Sequence, residues 1–129
     1  MKTISRPIGA WNSDWKDLAH NMEVRWPYVF VSAYLDGFQV FNMMDPTNPY
    51  TVGYYYTCDC PTGSGGTWGV QVRNADGLIV ISDMKTGFWD LKMDGFDGWN
   101  GHQWGLPNVS SAQDWDNGPE GAPKPAKVS

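Results

Sequence analysis

Apolar and polar residues alternate along the first strand-like segment of the chain, and nearly continuous apolar runs of strand length follow it. Met22, Val24 and Trp26 are separated by polar residues, a period of two that is typical of a half-buried β-strand. Later runs are rich in Val, Ile, Thr and Tyr and are bounded by turn-forming residues. The pattern predicts strands at residues 22–26, 28–33, 38–41, 50–57, 69–73, 78–82 and 87–93.

The chain contains an internal repeat. Residues 30–41 align without gaps to residues 80–91, an offset of 50, and residues 22–25 match 70–73 at an offset of 48. Within residues 30–41 and 80–91 the identical pairs are Ser32 and Ser82, Gly37 and Gly87, and Phe38 and Phe88. A repeat of about 45 to 50 residues has the size of a four-stranded β-propeller blade. The expected fold class is therefore all-β, with two blade-like antiparallel units and irregular extensions at both ends.

The repeat divides the chain into five predicted segments. An N-terminal extension and a first blade-like repeat are followed by a Gly, Ser and Cys loop, a second repeat and a polar tail rich in Pro and Gly. Their bounds are residues 1–21, 22–57, 58–67, 68–106 and 107–129. The fourth strand of the second repeat is hard to find, because residues 94–101 are nearly all turn-forming.

A short helix is expected before the first repeat. Apolar residues there are spaced by 4, 3 and 4 positions, which is a helical period, and Ser13 precedes most of them as a possible N-cap. These apolar residues are Trp11, Trp15, Leu18 and Met22.

Composition and charge exclude several classes of protein. The 15 glycines and 9 prolines are about 19% of 129 residues, well above the roughly 12% of average usage, which argues against a helical bundle. No run of about 18 apolar residues is present that could span a membrane as a helix. The net charge of −5, with 14 acidic against 9 basic residues, repels phosphate backbones, so no nucleic-acid partner is expected.

The first unit resembles the LVIVD-type propeller repeat. A Tyr28-Val29 strand, a turn at Gly37, an Asp-Pro-Thr-Asn-Pro loop at residues 45–49 and a Val-Gly-Tyr-Tyr strand at residues 52–55 follow the order of that family's pattern. The second unit matches in its two central strands and lacks the Asp-Pro-x-Asn-Pro loop. The resemblance implies propeller blades, which in this family usually belong to larger bacterial proteins, often exported or surface-associated. These proteins resemble interaction modules or have no defined activity.

Two blades cannot close a propeller, because each blade packs against a neighbour on both faces. The chain is then the end of a longer protein, an oligomer that closes a ring, or a unit that completes itself on a partner. We predict a non-catalytic interaction or assembly subunit, whose partner is another protein or a second copy. The alternatives are a carbohydrate-binding module of a ring-closing oligomer, with three chains supplying six blades, and a fragment of a larger exported propeller protein.

The location of the protein depends on its natural start. The first residues, up to Pro7, have no apolar region of a secretion signal, so a natural start at Met1 predicts the cytoplasm. If the chain is a fragment, the family resemblance predicts export.

Tryptophans near polar residues are the candidates for contact with a ligand or a partner. Indole rings stack on sugars and are enriched at interface hot spots, while neighbouring carboxylates and amides bind hydroxyl groups. The alternative is that these rings fill the core between blades. The candidate residues are Trp89, Asp97, Trp99, Asn100 and Trp104.

The sequence gives little support for catalysis, and no cofactor is expected. Cys58 and Cys60 flank Asp59 and could supply part of a soft-metal site, but the two histidines, His20 and His102, are 82 residues apart. An enzyme would need these cysteines and a histidine to converge. Packing or cross-linking in the assembly is the favoured role of the cysteines.

Gly37 and Gly87 occupy equivalent turns and are expected to have positive φ, a conformation that a Cβ disfavours. The next residue, Phe38 or Phe88, is expected to point between adjacent blades. Substituting Gly37 by valine or Phe88 by alanine should therefore destabilise the fold. The neighbouring Asp36 and Lys85 are expected to be exposed, so that their replacement by alanine is harmless.

Overall fold

The computed structural model describes residues 6–13 and 18–99. Across these residues the fold is all-β, without helices, and its seven strands form two antiparallel sheets. The first sheet has the order β1-β2-β3-β4 and the second has the order β5-β6-β7. The strands are β1 (Asn21–Arg25), β2 (Tyr28–Ser32), β3 (Phe38–Asn42), β4 (Tyr50–Tyr55), β5 (Thr67–Val72), β6 (Ile79–Asp83) and β7 (Gly87–Leu91).

All seven predicted strands are present, and their ends differ from the prediction by a few residues. Each strand pairs with the next one along the chain, so both sheets are simple meanders joined by short turns. The sheets are open rather than closed into a ring, and this architecture is consistent with incomplete propeller-like blades. Within the described part of the second unit, residues 92–99 add no fourth strand.

The main core lies between the two sheets. On the first sheet it is formed by Phe30, Phe38 and Val40. They share one side because the register pairs Phe30 with Val40 and Ser32 with Phe38. We call this side the phenylalanine face. It packs on the aliphatic face of the second sheet, which carries Val70, Val72, Ile79 and Ile81.

Polar contacts join the sheets at the start of the second unit. The Ser32 hydroxyl donates to the Gly69 carbonyl over 2.9 Å, and the Tyr34 amide donates to the Thr67 carbonyl over 3.0 Å. The two sheets are therefore held by a continuous interface of core and backbone contacts.

The repeat shows which side of the second sheet corresponds to the phenylalanine face. At an offset of 50, Phe38 corresponds to Phe88 and Phe30 to Val80. The corresponding side is therefore the one that faces away from the first sheet, not the aliphatic face. This side, with Phe88, Ser82 and Val80 in register, we call the open face. Phe38 is 4% exposed, whereas Phe88 is 81% exposed. The expectation that Phe88 is buried between blades is wrong, because no third sheet covers this side in the described residues.

The opposite side of the first sheet is covered by the N-terminal segment. Val29, Val31 and Ala33 form a second small core there. Trp11 stacks on Phe41 with ring centroids 4.5 Å apart and donates its indole N–H to the Thr51 hydroxyl over 2.9 Å.

The expected helix is contradicted where the structure describes it. Residues 11–13 and 18–20 are not helical, and Met22 belongs to β1. The backbone N–H of His20 donates to the Ser32 carbonyl over 2.8 Å, which continues the pairing with β2. Pairing with the sheet outweighs a weak helical period in a segment this short.

Asp36 is buried rather than exposed, so its expected role as a neutral control is wrong. Its carboxylate accepts a hydrogen bond from the Ser13 hydroxyl, and its carbonyl accepts from the Gln39 side chain over 2.7 Å. The N-terminal segment, 23 residues away along the chain, therefore contacts this carboxylate directly. Lys85, at the equivalent turn, is exposed as expected.

The positive φ expected at both repeat glycines is confirmed, at 75° for Gly37 and 94° for Gly87. A Cβ on Gly37 would lie 2.6 Å from the Tyr55 carbonyl oxygen, whereas a Cβ on Gly87 would meet no atom within 4 Å. Replacing Gly87 by alanine should therefore lower the free energy of unfolding by about 1–2 kcal/mol, the cost of left-handed backbone alone. Gly37→Ala should cost more, because the backbone of β4 must also move. Urea unfolding of the two variants tests this order, and equal losses would contradict it.

Residues 6–13 and 18–99 contain no helix with the length and apolar composition required to cross a membrane.

Candidate functional site

A cavity of about 610 Å³ lies at one end of the sheet–sheet interface. Three loops form it: the turn between β1 and β2, the turn after β5, and the segment that follows β7. We call it the aromatic cavity, since four of its lining residues carry aromatic rings. Its main lining side chains are Trp26, Tyr28, Asn74, Phe96, Asp97 and Trp99.

A buried ion pair lies at the base of this region. The Arg25 guanidinium is 3.2 Å from the Glu23 carboxylate, and each residue is 1% exposed. Both groups also bind the second sheet: Glu23 accepts from the Val72 amide over 2.8 Å, and Arg25 donates to the Val72 carbonyl over 2.9 Å. These bonds satisfy charged groups whose burial would otherwise be costly. Arg25 also donates to the Asn74 side-chain oxygen, which ties the ion pair to the cavity wall.

Trp99 is held in place by two contacts. Its amide donates to the Asn74 carbonyl over 2.9 Å, and the Arg25 guanidinium lies 5.5 Å from its ring centroid in a cation–π arrangement. The indole Nε1 is buried but has no hydrogen-bond partner within residues 6–13 and 18–99. Buried donors are nearly always paired, which marks this N–H as an exception in the described part of the chain.

Two of the five candidate contact residues, Asp97 and Trp99, meet in the aromatic cavity. Trp89 does not line it; its ring centroid is 5.7 Å from that of Tyr55, and its indole N–H donates to the Thr86 hydroxyl over 2.8 Å. Asn100 and Trp104 lie outside the described residues.

Sequence reasoning missed four of the main cavity residues, Trp26, Tyr28, Asn74 and Phe96. Each lies in or beside a turn, which is where ligand-binding residues concentrate. Only the packing of the two sheets brings the turn after β1 beside the turn after β5, so the local pattern did not distinguish these residues from ordinary turn or core positions.

Cys58 and Cys60 are joined to each other in a disulfide, in the loop between the sheets. Disulfide sulfurs are not thiolates, and the thiolate is the form that binds soft metals. No group of three or more His, Cys, Asp or Glu side chains that could hold a metal occurs in the described part of the chain. His20 packs on Trp68, with ring centroids 3.9 Å apart, and His102 lies outside the described residues.

The loop that carries the disulfide is anchored to the second sheet through Asp83. Burial raises the pKa of this carboxyl, but hydrogen bonds from the Thr57 hydroxyl and from the Thr86 and Lys85 amides outweigh it and lower the pKa below its ordinary value. Asp83 therefore stays ionised near neutral pH and holds Thr57, just before the disulfide, on the turn between β6 and β7.

Comparison with models of protein families, with curated proteins and with solved structures finds no match to this chain.

Proposed function

We propose that the protein is a non-catalytic assembly subunit whose open face binds the sheet of another propeller-like unit, carried by a second copy of the chain. The observation that supports this most directly is the contrast between Phe38, 4% exposed, and its repeat counterpart Phe88, 81% exposed. The equivalent side of the sheet is part of the core in the first repeat and is exposed in the second.

Charged residues show the same contrast. Glu23 and Arg25 on β1 are buried because the second sheet covers them. Their counterparts in the repeat, Gln71 and Arg73, are exposed, and Arg73 pairs instead with Asp76 in its own turn. A third sheet on the open face would occupy the position relative to the second sheet that the second sheet occupies relative to the first.

A second copy of the chain can supply the surface that this arrangement requires. The aliphatic face of the second sheet, which packs on the phenylalanine face, corresponds in the first sheet to the side with Val29, Val31 and Phe41. Head-to-tail contacts of this kind use two different surfaces and lead to rings or filaments. Trp11 now covers that side of the first sheet, so the N-terminal segment must move before a second copy can dock.

The resemblance to LVIVD-type repeats supports the same proposal, since propeller blades pack on neighbours at both faces. A following repeat in a longer chain, or the sheet of a different protein, would satisfy the open face in the same manner as a second copy.

Light scattering coupled to size-exclusion chromatography tests the proposal. The wild-type chain should show a mass that rises with concentration above the 14.4 kDa of the monomer. Phe88→Asp should keep the protein monomeric, because it places a charge in the proposed contact. Trp11→Ala should strengthen association by releasing the N-terminal segment from the side with Val29.

Met84→Asp is the matched control, since Met84 is also an exposed apolar residue but lies in the turn beside the open face. It should associate like the wild type. A wild-type chain that remains monomeric at all concentrations would overturn the proposal. Association that Phe88→Asp leaves unchanged would assign the contact to another surface.

A further inference from the structure

We propose that the aromatic cavity binds a neutral cyclic polyol, that is, one ring of a sugar. This inference goes beyond assembly, because the cavity is formed by the ends of the two sheets and not by the open face. Its volume of about 610 Å³ lies within the range of roughly 300–1,000 Å³ that is typical of small-molecule sites.

Three aromatic residues, Trp26, Tyr28 and Trp99, line the walls. Each is only partly buried, so part of each side chain stays accessible. Tyr28 packs edge-to-face on Phe96, with ring centroids 6.0 Å apart, which keeps one wall in place. Sugar rings have apolar C–H surfaces that stack on such aromatic faces, while their hydroxyl groups point outward around the rim.

The polar groups of the cavity match hydroxyl groups. The buried Trp99 Nε1 has no partner in the described chain and can donate only, whereas the exposed Asp97 carboxylate accepts only. A hydroxyl both donates and accepts, so one polyol can satisfy the two groups together. The orphan N–H is the observation that calls for an acceptor on the ligand.

The charges around the cavity favour a neutral ligand over an anion or a quaternary ammonium cation. The Asp97 carboxylate and a net charge of −5 disfavour an anion. A quaternary ammonium would fit an aromatic site with a carboxylate, but it offers no acceptor to Trp99 Nε1. In addition, the Arg25 guanidinium lies 5.5 Å from the Trp99 ring, which places one cation there already.

Nuclear magnetic resonance of the full chain provides the test, with the indole N–H signal of Trp99 as the reporter. The probes are the methyl glycosides of glucose, galactose, mannose and N-acetylglucosamine, each added separately, and tetramethylammonium as the cationic comparison. We expect a saturable shift of the Trp99 signal with at least one glycoside. Trp99→Phe, which keeps a ring but removes the donor, should weaken that binding about fivefold, which corresponds to about 1 kcal/mol.

Trp68→Phe is the matched control, since Trp68 is exposed and does not line the cavity; it should leave the affinity unchanged. If Trp99→Phe fails to fold, Asp97→Asn at an exposed position should still weaken glycoside binding several-fold. None of these variants alters the open face, so loss of sugar binding and loss of assembly are distinguished. A Trp99 signal that no glycoside moves, or that only tetramethylammonium moves, would overturn the proposal.

Discussion

Replacing Phe38 by alanine is expected to lower the free energy of unfolding by about 3–5 kcal/mol, the usual cost of removing a buried phenylalanine ring. The matched substitution at its repeat counterpart, Phe88→Ala, should change the stability of the monomer by less than about 0.5 kcal/mol. Phe38 stacks beside Phe30, with ring centroids 6.3 Å apart, in the core between the sheets. Phe88 projects from a side of the second sheet that is open in the described structure.

Urea unfolding at low protein concentration measures both variants as monomers. Similar losses at the two positions would mean that Phe88 is buried in the folded chain and that the open face does not exist. If the wild type assembles as proposed, Phe88→Ala should also become destabilising at high concentration, because association stabilises the folded state by mass action. Phe38→Ala should remain destabilising at every concentration.

Removing one member of the buried ion pair is expected to have a comparable effect. Arg25→Ala should lower the free energy of unfolding by about 3–5 kcal/mol, because it leaves the Glu23 carboxylate buried without its cation. The equivalent change in the second repeat, Arg73→Ala, should leave stability nearly unchanged, since the Arg73–Asp76 pair is exposed.

A double variant separates the ion pair from the packing around it. Glu23→Leu combined with Arg25→Met removes both charges and keeps apolar volume, so its remaining cost is the loss of the bonds to the Val72 amide and carbonyl. It should therefore be less destabilising than Arg25→Ala alone. Thermal and urea unfolding of Arg25→Ala, Arg73→Ala and the double variant give this comparison. An Arg25→Ala variant as stable as Arg73→Ala would show that the second sheet does not cover β1 as the structure has it.

The strands and turns of this protein were determined by local sequence. The period of two before Pro27, the β-branched and aromatic runs and the glycine turns each act over a few residues, and their positions agree with the strands observed. Positive φ at Gly37 and Gly87 followed from the repeat in the same way. The pairing of neighbouring strands needed only these short connections.

Burial was decided by the tertiary structure. Phe38 and Phe88 each follow the repeat glycine and occupy the same place in a hairpin, yet one is core and one is surface. Burial depends on how many sheets lie beside the strand and not on the strand itself. The Asp36 carboxylate is bonded by Ser13, 23 residues away along the chain. Arg25 of the first sheet binds Val72 of the second, and Trp99, which follows the second sheet, packs on the Arg25 guanidinium. The alternation of apolar and polar residues along a strand shows which residues share a side of the sheet. Only the packing of one sheet on another determines which side becomes core, and therefore where a cavity and an open face remain.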